Sequence, residues 1–119
     1  MESQNACWQR ALSRALHMEV RELKRICKPF VVEGGALLSE VIDALMRANN
    51  YEKMDVDYRV EEVMNFMDSK HNELVIATEE HIFYVNNDTV YDNVTDYNKV
   101  YFLNEVAEAV YYRVKGEMA

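Results

Sequence analysis

Before Lys70 the chain contains four segments in which apolar side chains recur at spacings of three and four, typical of a helix with one buried face. Asn5 is a suitable N-cap for the first segment, Pro29 ends the second, and Asn49-Asn50 end the third. We therefore predict a mainly helical N-terminal part with these apolar positions in its core. They are Trp8, Ala11, Leu12, Ala15 and Leu16; Val20, Leu23, Ile26 and Cys27; Leu38, Val41, Ile42, Leu45 and Met46; and Val60, Val63, Met64 and Met67.

After His71 the pattern changes to short runs rich in β-branched and aromatic residues, separated by polar turn residues. The runs are ELVIAT, HIFYV, TVYD and KVYFL. Such runs are typical of strands, and their close succession predicts a meandering antiparallel sheet. The segment Asn86-Asn87-Asp88 suits the left-handed backbone of a tight hairpin turn. Residues 105–114 fit a helix by the spacing of their valines, which we favour, or a strand by the run VYYRV.

Together these patterns predict an α+β protein in which an N-terminal helical part packs on a C-terminal antiparallel β-sheet. The chain has 119 residues, half of them apolar and only four of them Gly or Pro. A chain of this size buries roughly two-thirds of its unfolded surface on folding. We therefore expect a single domain that spans residues 1–119.

The formal charge of −8 comes from 13 Lys and Arg against 21 Asp and Glu. This excess repels phosphate backbones, and no basic cluster is interleaved with aromatic residues, so we do not expect nucleic-acid binding. No stretch approaches the ~20 apolar residues of a membrane span, and the first ten residues do not resemble a signal peptide. We expect a cytoplasmic protein without membrane contact whose partner or substrate is a protein or peptide. No feature of the sequence indicates the oligomeric state.

Cys7 and Cys27 are the only cysteines. They fall in different predicted helices and have no metal-ligand spacing, so we expect no disulfide, no metal and no cofactor. Cys27 is predicted to point into the core. Cys7 stands in the first turn of its helix, where free backbone N–H groups and the helix dipole favour a thiolate. Cys7 is thus a candidate nucleophile.

His81 and Asp92 could complete a catalytic site with Cys7, since a thiolate needs a base and the base needs an orienting group. A two-residue turn at Asn86-Asn87 would place His81 directly opposite Asp92. A turn at Asn87-Asp88 would make the two residues diagonal neighbours, and a three-residue loop would put Asn93 opposite His81. The other histidines compete poorly: His17 is predicted on the helix of Cys7, and His71 in a connecting segment.

Three segments resemble the papain-like cysteine peptidases, especially small members from phage and bacterial genomes. NACWQRALSRAL is similar to their nucleophile helix, and GG followed by VIDALMRANNY resembles their helical part. ATEEHIFYVNNDTVYDN resembles their strand-borne histidine followed, one hairpin later, by Asp or Asn. The resemblance implies a minimal papain-like fold with Cys7 as nucleophile, His81 as base and Asp92 as the orienting residue.

One position departs from the family pattern. Papain-like enzymes usually carry a glutamine five or six residues before the cysteine, where its side chain helps to bind the oxyanion. Here Gln4 is three residues before Cys7. We assign Gln4 to the oxyanion site together with the backbone N–H of Cys7.

Three hypotheses about function follow. The first is a papain-like cysteine peptidase, or a related thiol acyl hydrolase or transferase, that uses a Cys-His-Asp triad. The second is a weakly active or inactive papain-like domain that binds a partner protein, for example a phage protein that acts on a host partner. The third is an unrelated structural domain in which Cys7 packs against Trp8 and Leu12.

Overall fold

A computed structural model of the protein describes residues 7–33, 35–79, 82–91, 96–97 and 105–115. Its helices are α1 (Cys7–Leu16), α2 (Val20–Cys27), α3 (Ser39–Ala48) and α4 (Val60–Phe66), with a 3₁₀ turn at Lys28–Phe30 after α2. Its strands are β1 (Glu52–Arg59), β2 (Asn72–Thr78), β3 (Ile82–Asn86), β4 (Thr89–Tyr91), β5 (Asp96–Tyr97) and β6 (Val106–Val114). The predicted α+β class is confirmed.

Within the described ranges, six strands form one antiparallel sheet in the order β1-β6-β2-β3-β4-β5. Strands β2, β3 and β4 correspond to the first three runs of the predicted meander, and β5, which pairs with β4, was not predicted. The last strand, β6, returns to lie between β1 and β2. The predicted KVYFL strand falls on residues 99–103, which lie outside the described residues.

Both faces of the sheet are covered. On one face α1, α2 and α3 enclose a core that includes Val75, Ile82 and Tyr84. On the other face α4 covers a second core that includes Ile76 and Phe83. Because successive strand residues point to opposite faces, burial on both sides explains why β2 and β3 read as unbroken apolar runs.

The ends of α1 and α3 follow from residues in the left-handed conformation. His17 has φ 55° and Asn50 has φ 70°. In each case the next N–H donates to a carbonyl five residues back, Met18 to Ser13 and Tyr51 to Met46, both at 3.0 Å. This is the hydrogen bond of a Schellman cap. The predicted end of α3 at Asn49-Asn50 is confirmed, and His17 lies just outside the helix of Cys7.

One sequence prediction about secondary structure is wrong, and one strand was missed. In the segment 105–114, for which we favoured a helix over the strand alternative, Val106–Val114 form β6. The segment 52–59, to which we assigned no element from the sequence, forms β1. Residues Ala107 and Val110 are fully buried, since β6 lies inside the sheet with a neighbour on either side. Pairing with two strands supplies backbone hydrogen bonds along the whole segment, and this outweighs its helical spacing.

No helix in the described ranges is both long and apolar enough to cross a bilayer.

Candidate functional site

The residues predicted to carry the chemistry fall at the margins of the described structure. Cys7 is the first residue of α1, and its backbone is described but its side chain is not. In the sequence, His81 immediately precedes β3 and Asp92 immediately follows β4. Gln4, His81 and Asp92, together with the alternative Asn93, lie outside the described residues. The structure therefore brings together the elements that flank these residues.

The hairpin between β3 and β4 has a two-residue turn at Asn87-Asp88. Tyr84 pairs with Tyr91 and Asn86 with Thr89, and the two turn residues have φ angles of 52° and 63°. Positive φ at both positions is the requirement of a type I′ turn, which Asn and Asp tolerate. The turn at Asn86-Asn87 and the three-residue loop are thus wrong, and the turn observed is the one at Asn87-Asp88. The diagonal placement of His81 and Asp92 that we expected from this turn stays a prediction.

The last turn of α1 lies at the Asn86 end of β3. The Tyr51 hydroxyl donates to the carbonyl of Ala15 over 3.0 Å, and Glu73 Oε1 lies 3.4 Å from the same hydroxyl oxygen. Glu73 precedes Leu74, which pairs with Val85 near the end of β3. These contacts fix the C-terminal end of α1 beside the C-terminal end of β3.

The first turn of α1 consequently lies toward Ile82, the first residue of β3. A ten-residue helix is about 15 Å long, which is close to the length of a five-residue strand. Trp8 shares its core with Ile82. The helix that starts at Cys7 and the strand that starts after His81 therefore begin at the same end of the sheet.

Trp8 anchors the start of α1 to the loop between the 3₁₀ turn and α3. Its ring is buried, and its indole N–H donates to the carbonyl of Gly35 over 2.9 Å. Gly35 has φ 97°, a conformation that any side chain would disfavour. The Gly35 N–H in turn donates to the backbone carbonyl of Val32 over 2.9 Å. These contacts thus fix the position of Trp8, the residue that follows Cys7.

A groove of about 590 Å³ opens beside Trp8, and we call it the α2 groove. Its lining is mainly apolar, but one rim is the basic face of α2. The groove is defined by Trp8, Arg21, Lys24, Arg25, Lys28 and Val31. Because it begins at the residue after Cys7, a molecule bound there would lie next to the start of α1.

A second groove, of about 570 Å³, runs along α1 past its C-terminal end. Arg14 lies over the Tyr91 ring, with its guanidinium carbon 4.6 Å from the ring centroid. His17, Glu19 and Asn86 also line this groove, so its charges are mixed. Arg10 lines it as well, so the groove extends along α1 to within about one turn of Cys7.

Glu73 is the centre of a polar cluster beneath the C-terminal end of α1. The Tyr84 hydroxyl donates to Glu73 Oε1 over 2.7 Å, and Arg113 donates to Oε2. The pKa of Tyr84 is raised well above its ordinary value, mainly by burial and to a smaller extent by the hydrogen bond to Glu73. The pKa of Tyr51 is also raised, mainly by burial and to a smaller extent by the negative charge of Glu73. With its oxygens bonded in this way Glu73 has a structural role.

No family model, curated protein or solved structure matches this chain.

Within the described ranges no three His, Cys, Asp or Glu side chains are grouped so as to hold a metal ion.

The sequence predictions missed the Glu73 cluster and the basic rim of the α2 groove. The rim residues Arg21, Lys24, Arg25 and Lys28 have helical spacing, so the periodicity used for the apolar positions would have found them. The Glu73 cluster has no comparable signal, because its members come from distant segments such as Tyr51 and Arg113.

Proposed function

We propose that this protein is a papain-like thiol enzyme, a cysteine peptidase or a related acyl hydrolase or transferase. Cys7 is its nucleophile, His81 its general base and Asp92 the residue that orients His81. The observation that carries the proposal is the packing of α1 along β3 with their starts at the same end of the sheet. This arrangement favours contact between the residue that opens the helix and the residue that precedes the strand.

The direction of β4 supports the role of Asp92. β4 runs antiparallel to β3, and its last residue, Tyr91, pairs with Tyr84. The chain therefore leaves β4 toward the end at which β3 begins, which is the direction that contact between Asp92 and His81 requires. An Asp carboxylate that accepts from one ring nitrogen leaves the other free to take the thiol proton.

The chemistry begins with transfer of the Cys7 thiol proton to His81. The thiolate attacks an acyl carbon, and the resulting oxyanion accepts hydrogen bonds from the backbone N–H of Cys7 and from Gln4. Collapse of the tetrahedral species expels the leaving group, which takes the proton back from His81. Water, or a second nucleophile in a transferase, then releases the acyl group from the sulfur. The N-terminal position in α1 stabilises the thiolate, because the helix dipole is positive there.

Alkylation by iodoacetamide across the pH range tests this proposal. We expect Cys7 to react at neutral pH at least about 10-fold faster than a free thiol, with its reactivity rising at a pKa below the ordinary ~8.5. His81→Ala should abolish this acceleration, and His71→Ala is the matched control that should not. A Cys7 rate equal to that of a free thiol and indifferent to His81→Ala would contradict the proposal.

In the same experiment, the alkylation of Cys27 reports whether each variant is folded. Its side chain is fully buried and unpaired, so it reacts only when the protein opens. A His81→Ala protein in which Cys27 remains protected is folded, and any loss of Cys7 reactivity is then chemical. Hydrolysis of a generic thioester or p-nitrophenyl ester, lost in Cys7→Ser, provides a second readout.

A further inference from the structure

The basic residues are concentrated at the start of the chain. Residues 1–33 contain six of the 13 Lys and Arg but only four of the 21 Asp and Glu, giving a formal charge of +2. Residues 34–119 carry the remaining seven Lys and Arg and 17 Asp and Glu, giving −10. Four of the six early basic residues line the α2 groove. The groove is thus a cationic site on an acidic protein.

Most of these cations are available to an external partner. Arg25 pairs with Glu22 one turn earlier on α2. Arg21, Lys24 and Lys28 form no ion pair with any acidic side chain in the described part of the chain. All three are exposed. A carboxylate that approached the groove would therefore meet three cations that no described acidic group neutralises.

The groove also offers an apolar surface. Its lining is mainly apolar, and Val31, which is part of that lining, is 38% exposed. A volume of about 590 Å³ falls in the range of pockets that bind small ligands or a few side chains. A complementary molecule would combine negative charge with an apolar group.

We propose that the α2 groove binds an acidic peptide segment of a partner protein, with an apolar side chain of the segment against Val31. Flanking carboxylates of the segment pair with Arg21, Lys24 and Lys28. A nucleic acid fits less well, because the Trp8 ring is only 3% exposed and offers no face for a base. An anionic bilayer fits less well because the site is concave and the rest of the protein is strongly acidic.

The α2 groove begins next to Cys7, so the bound segment would be the recognition element of the substrate. That consequence rests on the proposed function, whereas binding itself does not. Binding is therefore measured on full-length Cys7→Ala protein, which cannot turn a substrate over. If the peptide does not bind, only the binding proposal fails, because the reactivity of Cys7 is measured in a separate experiment. If Cys7 is unreactive, only the proposed function fails, because binding does not require a reactive thiol.

Trp8 is the only tryptophan, so its fluorescence reports directly on the groove. We expect a saturable change on titration with an acetylated Glu-Glu-Leu-Glu-Glu peptide. A Gln-Gln-Leu-Gln-Gln peptide should bind about 10-fold more weakly, and NaCl at about 0.5 M should remove most of this difference. Replacement of the central Leu by Ser should also weaken binding. Equal affinity for the acidic and the amide peptide would overturn the proposal.

Variants locate the site. Arg21→Gln/Lys24→Gln should lower the affinity for the acidic peptide about 10-fold, whereas Lys70→Gln, which removes an exposed cation before β2, should not change it. An unchanged affinity in the α2 variant overturns the assignment. So does tighter binding of an oligonucleotide or of phosphatidylserine vesicles than of the peptide. Self-association that the α2 variant abolishes would also overturn it, since a second copy would then occupy the groove.

Discussion

Glu73 and Arg113 are cross-strand partners in β2 and β6, and the guanidinium donates two hydrogen bonds to Glu73 Oε2, from Nε at 3.1 Å and from Nη2 at 3.0 Å. The pair is largely buried, with side-chain exposures of 13% for Glu73 and 23% for Arg113. Arg113 also donates to the carbonyl of Asn49 over 2.8 Å and lies over the Tyr51 ring. This single guanidinium joins the sheet to the end of α3.

Replacing Arg113 should destabilise the protein strongly. Arg113→Met leaves the Glu73 carboxylate buried without a cation, and we expect the free energy of unfolding to fall by about 2–4 kcal/mol. Urea denaturation measures the change. The control is Arg59→Met, which removes an exposed pair with Glu62 and should cost less than about 1 kcal/mol. Equal losses for the two variants would contradict the structural role of the Glu73 cluster.

Ser69 should stabilise the hairpin turn from outside the hairpin. Its hydroxyl donates to Asp88 Oδ1 over 2.6 Å and accepts from the Asp88 N–H over 2.9 Å, and its side chain is buried. Ser69→Ala leaves that N–H without its partner, so we expect a loss of about 1–3 kcal/mol in thermal or urea unfolding. Ser39→Ala, at an exposed position that begins α3, should change stability by less than about 0.5 kcal/mol. If Ser69→Ala loses no more stability than this control, the turn does not depend on its hydrogen bonds to Ser69.

The helices could be predicted from sequence because each buries one face against a neighbouring layer. α1 is the clearest case, since Trp8, Leu12 and Ala15 are all in the core as their spacing indicates. The predicted core positions Val20, Ile26 and Leu38 are wrong, since these side chains are 37–40% exposed. β1 could not be predicted in the same way. Asp55 and Asp57 alternate with Met54 and Val56 on this strand, and acidic residues are depleted from strands in general. At the edge of a sheet, however, such charges prevent pairing with another chain.

The candidate site was predictable only as a set of residue types. The hairpin sequence identified a turn, but Asn86, Asn87 and Asp88 all tolerate positive φ, and the choice among registers depends on pairing across the sheet. The basic rim of the α2 groove was hidden by a net charge of −8, which sums over the whole surface. Folding separates these charges in space, and composition alone carries no such information.

Cys27 should be chemically inert in the native protein. Its side chain is fully buried, and burial raises the pKa of its thiol. We expect no alkylation of Cys27 until urea unfolds the chain, measured by mass spectrometry of the cysteine peptides. Cys27→Ala should cost about 1 kcal/mol, whereas Cys27→Ser should cost about 1–3 kcal/mol more, since it buries a hydroxyl in the apolar core. Rapid alkylation of Cys27 in the folded protein would contradict its buried position.

Three buried tyrosines should make the protein sensitive to alkaline pH. Burial is the largest cause that raises the pKa of all three phenols in the folded state. The second cause is a hydrogen bond to Glu73 for Tyr84 and to Asp43 for Tyr111. For Tyr51 it is the negative charge of Glu73. The native state therefore holds these protons more tightly than the unfolded state does. The stability that results is complete below the unfolded pKa of about 10 and is lost progressively above it.

Ultraviolet absorbance of tyrosinate checks this expectation. At a pH of about 11 at least three of the eight tyrosines should stay protonated until the protein unfolds, and urea at the same pH should release them. Tyr84→Phe should lose about 1 kcal/mol at neutral pH, because Glu73 loses a hydrogen bond. Its stability should then fall less steeply above pH 10, since the unfolded chain has one phenol fewer to ionise. Ionisation of all eight tyrosines in a protein that keeps its native circular dichroism would contradict the burial of these hydroxyls.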